Sequence, residues 1–244
     1  MLVEISFDYI VAMIILVSLL TQILFGVGVL LWGTPSLILL GYEFTTALSL
    51  LLPISIGISG LQAGRNSQHI NRKAIWSFIK FSLPLVVFGL FIVLLFDFNV
   101  EWFVFGALIV GGILRLNTFQ LLSDKILNFK DFMLPLIGIV HGISNLGGAL
   151  LVVWVSQTDK TKLGFRSTVA ACYFLLALFQ IVTLMFYKDE LIFFVSYFIF
   201  GIMAYAILDQ FILTVIKDNA FDVMLTFVIF LMAFLIGLRA ASVI

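Results

Sequence analysis

Apolar residues along this chain fall in long unbroken runs rather than in narrow periodic stripes. Segments such as FSLPLVVFGLFIVLLF (81–96) and FDVMLTFVIFLMAFLIGL (221–238) are apolar on every face, as expected of helices with apolar surroundings on all sides. Crossing the hydrocarbon core of a bilayer takes about 20 such residues. Eight candidate spans emerge, near 9–31, 44–63, 75–96, 101–121, 132–155, 167–187, 190–209 and 222–241. A β-barrel would instead alternate apolar and polar residues over short segments. The pattern therefore predicts an all-α, polytopic membrane protein with about eight transmembrane helices.

Composition strengthens this class. Hydrophobic residues make up 63% of the 244 positions and charged residues 11%, with a mean hydropathy of +1.25. A soluble domain carries about a quarter charged residues, so this chain has too little charge to cover a water-facing surface of its size. The formal net charge is zero, which leaves no global attraction for nucleic acid. The single cysteine, Cys172, excludes an intrachain disulfide and any CxxC metal site. His69 and His141 are far apart and lack metal-ligand spacing, so no cofactor is expected. At the N-terminus Glu4 and Asp8 stand where a signal peptide would be basic, and the first apolar run is expected to be kept as a span.

Loop charge sets an expected orientation. AGRNSQHINRKAIW carries Arg65, Arg72 and Lys73 without an acid, and such loops collect on the cytoplasmic side. FDFNVEW carries Asp97 and Glu101 and suits the outside, and Lys125 and Lys130 then fall inside. Eight simple spans would place both termini in the cytoplasm. One loop conflicts: SQTDKTKLGFR holds Lys160, Lys162 and Arg166, yet the count places it outside. Either the charge rule fails there or one broken segment does not fully cross.

The first and fifth runs are interrupted. VGVLLWGTPSLILLG (27–41) holds Gly28, Gly33, Thr34, Pro35 and Gly41, and NLGGALLVVW (145–154) opens on a polar residue and two glycines. Shifting the chain by half its length, 122 residues, lays Trp32 on Trp154, Thr46 on Thr168, Gly26 on Gly148 and Thr34 on Ser156. Each half then shows a Gly-interrupted helix, a polar break, a helix opening on hydroxyl residues, and two further apolar helices. Two four-helix repeats, 1–122 and 123–244, with broken first helices are predicted. Paired interruptions of this kind are a sequence pointer to a transporter's binding site, because backbone groups freed at a break cannot go unpaired in lipid. Glycines that only permit close helix packing are the alternative.

At these residues the chain resembles the TauE/SafE family, often called sulfite exporters. FGVGVLLWGTP is similar to its G-x-G-G-G-x-x-x-x-P motif, with Gly26, Gly28 and Pro35 at the first, third and tenth positions and Val29 and Leu30 at two motif glycines. In the second half Gly147 and Gly148 fit the middle glycines, while Asn145 and Trp154 stand at the first glycine and the proline. The resemblance implies a multi-pass protein of a bacterial or archaeal plasma membrane that exports sulfite, sulfonates or other small organic anions.

Several residues are candidates to hold such an anion. Thr34-Pro35 reads as an N-cap followed by proline at the first helical position, so that PSLILLG would present free amides and the positive end of a helix dipole. Ser156 or Thr158 would cap in the same way in the second half. Gly26, Gly28 and Gly33 would give backbone access. Thr46, Ser49, Pro53, Gly57 and Gly60 share one helical face that suits packing against the broken helix, with Thr46 and Ser49 as donors. Thr168 opens the matching helix, and Gln180 lies deep in it among Arg166, Tyr173 and Ala177 on one face. His141, Ser144 and Asn145 form the densest polar cluster within an apolar run, just before Gly147 and Gly148. An intramembrane histidine is a functional candidate, either carrying a coupling proton or acting as a neutral hydrogen-bonding group. Arg115, Asp209 and Arg239 near span ends are expected to snorkel to the interface.

These features predict a secondary transporter of a small anion, working by alternating access around the two broken helices. Coupling to protons or to the membrane potential fits the lack of a GxxxxGK[ST] motif. An intramembrane enzyme is disfavoured, since HExxH is absent and His141 with Ser144 has no orienting acid nearby in sequence. A non-transporting membrane subunit or assembly factor is the alternative, and a homo-oligomer is compatible with either.

Overall fold

The computed structural model describes residues 8–96, 99–115, 130–159, 161–187, 194–215, 230 and 233–241. The described residues are helical, with no strand among them. In chain order the helices are α1 (Tyr9–Phe25), α2 (Val29–Leu39), α3 (Phe44–Arg65), α4 (Arg72–Phe81), α5 (Leu83–Leu95), α6 (Val100–Arg115), α7 (Lys130–Ser144), α8 (Gly148–Thr158), α9 (Lys162–Tyr187) and α10 (Val195–Val215), followed by a helical stretch over 233–241. A 3-10 turn, Ser67–His69, joins α3 to α4. Lys125 and the side chain of Arg115 lie outside the described residues.

Among the described residues, three stretches are long and apolar enough to cross a membrane: Phe44–Arg65, Arg72–Leu95 and Lys162–Tyr187. The second is α4 and α5 together. They meet at Ser82, where Pro84 in the first turn of α5 has no N–H to continue the preceding ladder. The Ser82 hydroxyl instead donates to the carbonyl of Leu134 on α7 at 2.7 Å. Many large apolar side chains point away from the core, among them Phe88, Phe132, Phe186 and Met203.

Both interrupted segments are broken, and they break alike. α1 ends at Gly26, which is left-handed at φ 76°, and α2 begins at Val29. α7 ends at Asn145, left-handed at φ 62°, and α8 begins at Gly148. Gly26 and Asn145, and likewise Val29 and Gly148, stand 119 positions apart, and α2 and α8 each have 11 residues. The two breaks are therefore 119 positions apart rather than 122, and at that spacing Thr34 does not stand opposite Ser156.

The polar contacts sort the helix ends into two groups. One group surrounds Arg65, the last residue of α3. Arg65 and Arg166 both bind Asp209. The Asn71 N–H donates to Thr168 Oγ1 at 3.0 Å and its side-chain amide to the Thr158 carbonyl at 3.2 Å. The ends of α3 and α8 and the starts of α4 and α9 thus lie together, at a basic end. The other group surrounds Phe44, the first residue of α3, about 33 Å away by helix rise. There Gly41, Tyr42, Phe44, Phe96, Glu101 and Arg239 line a common cleft, and Asp8 and Leu40 border a second one with Gly41 and Tyr42. The Asp8 N–H donates to Tyr197 Oη at 2.7 Å, and Tyr187 Oη donates to the Leu94 carbonyl.

α1 and α2 therefore form a hairpin with both open ends at the acidic end, where Asp8, Glu43 and Glu101 gather. α8 returns to the basic end, so α7 and α8 form the opposite hairpin. Packing crosses the chain's midpoint: α3 lies along α9, α1 against α10, and α5 against α7. The last of these contacts is close because Gly89, Gly138 and Gly142 bring backbones together. A Cβ on Gly138 would lie 2.3 Å from the Ser82 carbonyl oxygen, and one on Gly142 2.4 Å from that of Val86. This is the small-xxx-small device of membrane helix pairs.

Candidate functional site

Among the described residues, a hydrogen bond joins the two hairpins. The Asn145 side-chain amide donates to Thr34 Oγ1 at 2.7 Å, across 111 residues of sequence, and both residues are fully buried. Thr34 sits in the middle of α2, and Asn145 at the tip of the α7–α8 hairpin. The left-handed backbone at Asn145 suits asparagine and turns its amide toward α2. Its backbone N–H closes α7 on the His141 carbonyl at 2.8 Å.

The surroundings of Asn145 are polar and incompletely paired. His141 is fully buried, and its ring lies beside the Gln180 side chain without a well-formed hydrogen bond to either nitrogen. Its ring meets that of Tyr173 edge-on, with centroids 6.0 Å apart. The Gln180 amide donates to the His141 carbonyl at 3.3 Å, while Gln180 Oε1, Asn145 Oδ1 and the Tyr173 hydroxyl are buried without partners. Gly148 makes room for that hydroxyl, since a Cβ there would overlap it at 1.4 Å. Gly147 abuts the Cβ of His141 and the Ile137 carbonyl. An unsatisfied buried polar atom costs about 1–3 kcal/mol, so four residues carrying such atoms around one helix break form an expensive arrangement.

Several expected site residues have other engagements. Thr34 is not an N-cap, because α2 starts at Val29 with Gly28 as its cap and Pro35 lies inside the helix. The break falls where freed backbone groups find partners. The Gln22 amide donates to the Gly26 carbonyl at 3.0 Å, and Gln22 Oε1 accepts from the Val29 N–H at 3.3 Å. Around Thr34 the helix is buried on nearly every side, so amides opened there would have to lose their helical partners inside an apolar shell. Gly28 instead permits tight packing of the hairpin on itself, since a Cβ would fall 2.3 Å from the Ser18 carbonyl oxygen. Gly26 packs on the Arg166 carbonyl and Ala170, and Gly33 on Leu51.

Ser156 and Thr158 do not cap a half-helix N-terminus either. They end α8 and donate back to Val153 and Val155 at 2.7 and 3.1 Å. Ser49 donates to the Thr45 carbonyl within α3 at 2.8 Å, and Thr46 is half-buried near the start of that helix. The face expected to meet the broken helix packs elsewhere, Gly57 on Phe198 and Ile202 of α10 and Gly60 on Phe174 of α9. Thr168 is occupied by the Asn71 N–H. Ser144 donates to Val140 and accepts from the Leu146 N–H, steadying the second break. Asp209 and Arg239 do not snorkel alone. Asp209 pairs with Arg65 and Arg166, and Arg239 Nε lies 2.6 Å from Glu101 and its Nη1 3.0 Å from the Leu39 carbonyl.

The pair Gln22 and Gln62 was not anticipated, although each is an amide deep in an apolar run, the same signal that marked Gln180. Gln22 Nε2 also reaches Ser59 at 3.2 Å and Gln62 Oε1 at 3.0 Å, and Gln62 Nε2 returns to the Gln22 carbonyl at 2.9 Å. Replacing Gln22 with leucine is expected to lower the melting temperature in detergent well below that of Gln180→Leu. The first strands the Gly26 carbonyl and the Val29 amide at about 1–3 kcal/mol each; the second loses one long hydrogen bond. Equal shifts in a thermal unfolding assay would contradict this ranking.

At the acidic end the larger cleft encloses about 620 Å³ among Tyr42, Glu43, Asn99, Glu101 and Arg239. Burial, helped by the nearby Asp8 carboxylate, raises the Tyr42 phenol above its ordinary value. Among the described residues no group of His, Cys, Asp and Glu is arranged to hold a metal ion.

The fold and contacts define a helical protein with membrane-length apolar helices and two opposed hairpins that meet at a buried polar centre. Compared with known proteins, the chain matches no family model, no curated protein and no solved structure.

Proposed function

We propose that this chain is a secondary transporter of a small anion such as sulfite, an organosulfonate or a related sulfur compound, resembling the TauE/SafE exporters. In this proposal it sits in a plasma membrane with α3, α4–α5, α6, α9, α10 and the last helix crossing, and the α1–α2 and α7–α8 hairpins entering from opposite faces. The two halves, 1–122 and 123–244, are then repeats of inverted orientation. The basic end faces the cytoplasm, and the loop after α8 no longer conflicts with the charge rule, because Thr158 and Asn71 lie at one end. The carrying observation is the Asn145–Thr34 bond between the two hairpins, set among the unpaired polar atoms of His141, Tyr173 and Gln180. Groups that find no partner in the closed protein are available to a substrate that replaces or joins them.

The direct test is reconstitution. Purified protein in liposomes with an imposed membrane potential should take up labelled sulfite or sulfoacetate. No flux of either anion by folded protein would overturn the proposal. Orientation has its own test: in a Cys172→Ala background, Gln68→Cys and Thr161→Cys should both label from the cytoplasmic side. Labelling from opposite sides would restore eight simple spans.

A packing role is the second reading, favoured by one observation. Gln22 and Gln62 pair the polar groups of the first break entirely within the protein. A membrane subunit or assembly factor would need nothing more of its glycines.

A further inference from the structure

The hairpin contact brings no cationic side chain among its hydrogen-bonded residues, so the positive charge an anion needs must come from elsewhere. It is concentrated at the basic end, where α3, α9 and α10 meet. Asp209 Oδ2 lies 2.8 Å from Arg65 and Oδ1 2.8 Å from Arg166. Two guanidinium groups share one carboxylate, and among the described residues no second acid pairs with either arginine. One positive charge is left over. The Arg166 side chain is 14% exposed and that of Asp209 11%, while Arg65 is 54% exposed and reaches outward. Arg166 Nε is buried without a partner, and the Tyr205 hydroxyl lies beside Gln62 and within electrostatic reach of all three charged groups. Arg166, the more buried of the two arginines, thus keeps in Nε a donor available to a further oxyanion.

The position of the cluster favours a ligand on its way inward. The Arg166 carbonyl packs on Gly26, at the tip of the α1–α2 hairpin, where a Cβ would approach to 3.0 Å. Gln62 and Gln22 continue the polar groups from there to the first N–H of α2. A guanidinium fork recognises planar or tetrahedral oxyanions through two parallel hydrogen bonds, which an ammonium cannot do.

We propose that Arg65 and Arg166 form an oxyanion-binding site at the basic end, where a sulfonate, sulfite or carboxylate group replaces Asp209 as their partner before reaching the hairpin tips. This rests on the transporter reading for its purpose but not for its test. Binding of sulfite and of sulfoacetate to the purified full chain in detergent is measured by calorimetry at constant ionic strength. Asp209→Asn removes the competing carboxylate and should tighten binding several-fold. Arg65→Gln and Arg166→Gln should each weaken it about tenfold or more, and Arg166→Lys, which keeps charge without the fork, should also weaken it.

Wild-type protein that binds neither anion would overturn the site. So would arginine variants that bind as the wild type does, or an Asp209→Asn variant that is folded and binds more weakly, the signature of a clamp joining three helices. Thermal unfolding of each variant separates lost folding from lost binding; should Arg166→Gln not fold, Arg65→Gln and Asp209→Asn carry the test. Binding with the expected variant pattern but no flux in liposomes would remove the transporter and leave the site. Flux with wild-type rates and binding in both arginine variants would do the reverse.

Discussion

On the transport function proposed above, replacing Asn145 with glycine is expected to cut anion flux in liposomes by about two- to tenfold while leaving the protein folded. Glycine accepts the left-handed backbone at φ 62°, so the hairpin tip keeps its shape. What is lost is the side-chain amide that bridges to Thr34 at 2.7 Å. A buried hydrogen bond contributes about 0.5–1.5 kcal/mol net, which changes an equilibrium between two hairpin arrangements by about two- to tenfold. Asn145→Leu should be worse, because it also places a branched side chain in the left-handed region, at about 1–2 kcal/mol. Thr34→Val removes the same bond from the other side and should lower flux comparably. If transport survives Asn145→Gly and Thr34→Val unchanged, the hairpin contact is structural and the substrate passes elsewhere.

The largest stability losses are expected at two glycines where backbone meets backbone. Gly142→Ala would push a methyl to 2.4 Å from the Val86 carbonyl oxygen and 3.0 Å from the Gly89 Cα. Gly28→Ala would place one 2.3 Å from the Ser18 carbonyl oxygen and 2.4 Å from the Gln22 amide nitrogen. The Thr21 hydroxyl, 2.2 Å from a Cβ on Gly28, can rotate away, but these backbone atoms cannot, so the backbone itself must move. Overpacking costs about 1–3 kcal/mol, and separation would also cost contacts along α5 and α7. Both variants should unfold at clearly lower temperature than the wild type in detergent. Gly64 and Gly106 are helical glycines with nothing within 4 Å of a new Cβ. Alanine there should leave stability unchanged or raise it by up to about 1 kcal/mol through helix propensity. Similar melting temperatures for all four variants would refute the close crossings.

Much of this architecture was legible along the chain, and the reasons are local. Helix length and apolarity are properties of a run of residues, so α3, α9 and the α4–α5 segment could be marked from composition alone. The two interruptions could be found because glycines cluster there beside a proline in one run and an asparagine in the other. Their exact place could not. Thr34-Pro35 carries the strongest local signal for a helix start, yet α2 begins six residues before Pro35. The deciding partner is Gln22, folded back from the preceding helix, and a cap rule that looks only at neighbouring residues does not see it.

The sequence by itself determined the all-helical class, the existence of two broken helices and the polar residues His141, Asn145 and Gln180 that lie near the second break. These follow from the free energy of placing each residue type in apolar surroundings, which is set residue by residue. The tertiary structure alone decided that both broken segments double back, that Thr34 meets Asn145, and that Arg65, Arg166 and Asp209 form one cluster. Those outcomes depend on the pairing of polar groups: Gln22 closes the first break on itself, while Thr34, Arg65 and Arg166 take their partners from helices more than forty residues away. In an apolar interior that pairing outweighs local preference, because a polar group left alone there costs more than a misplaced helix end.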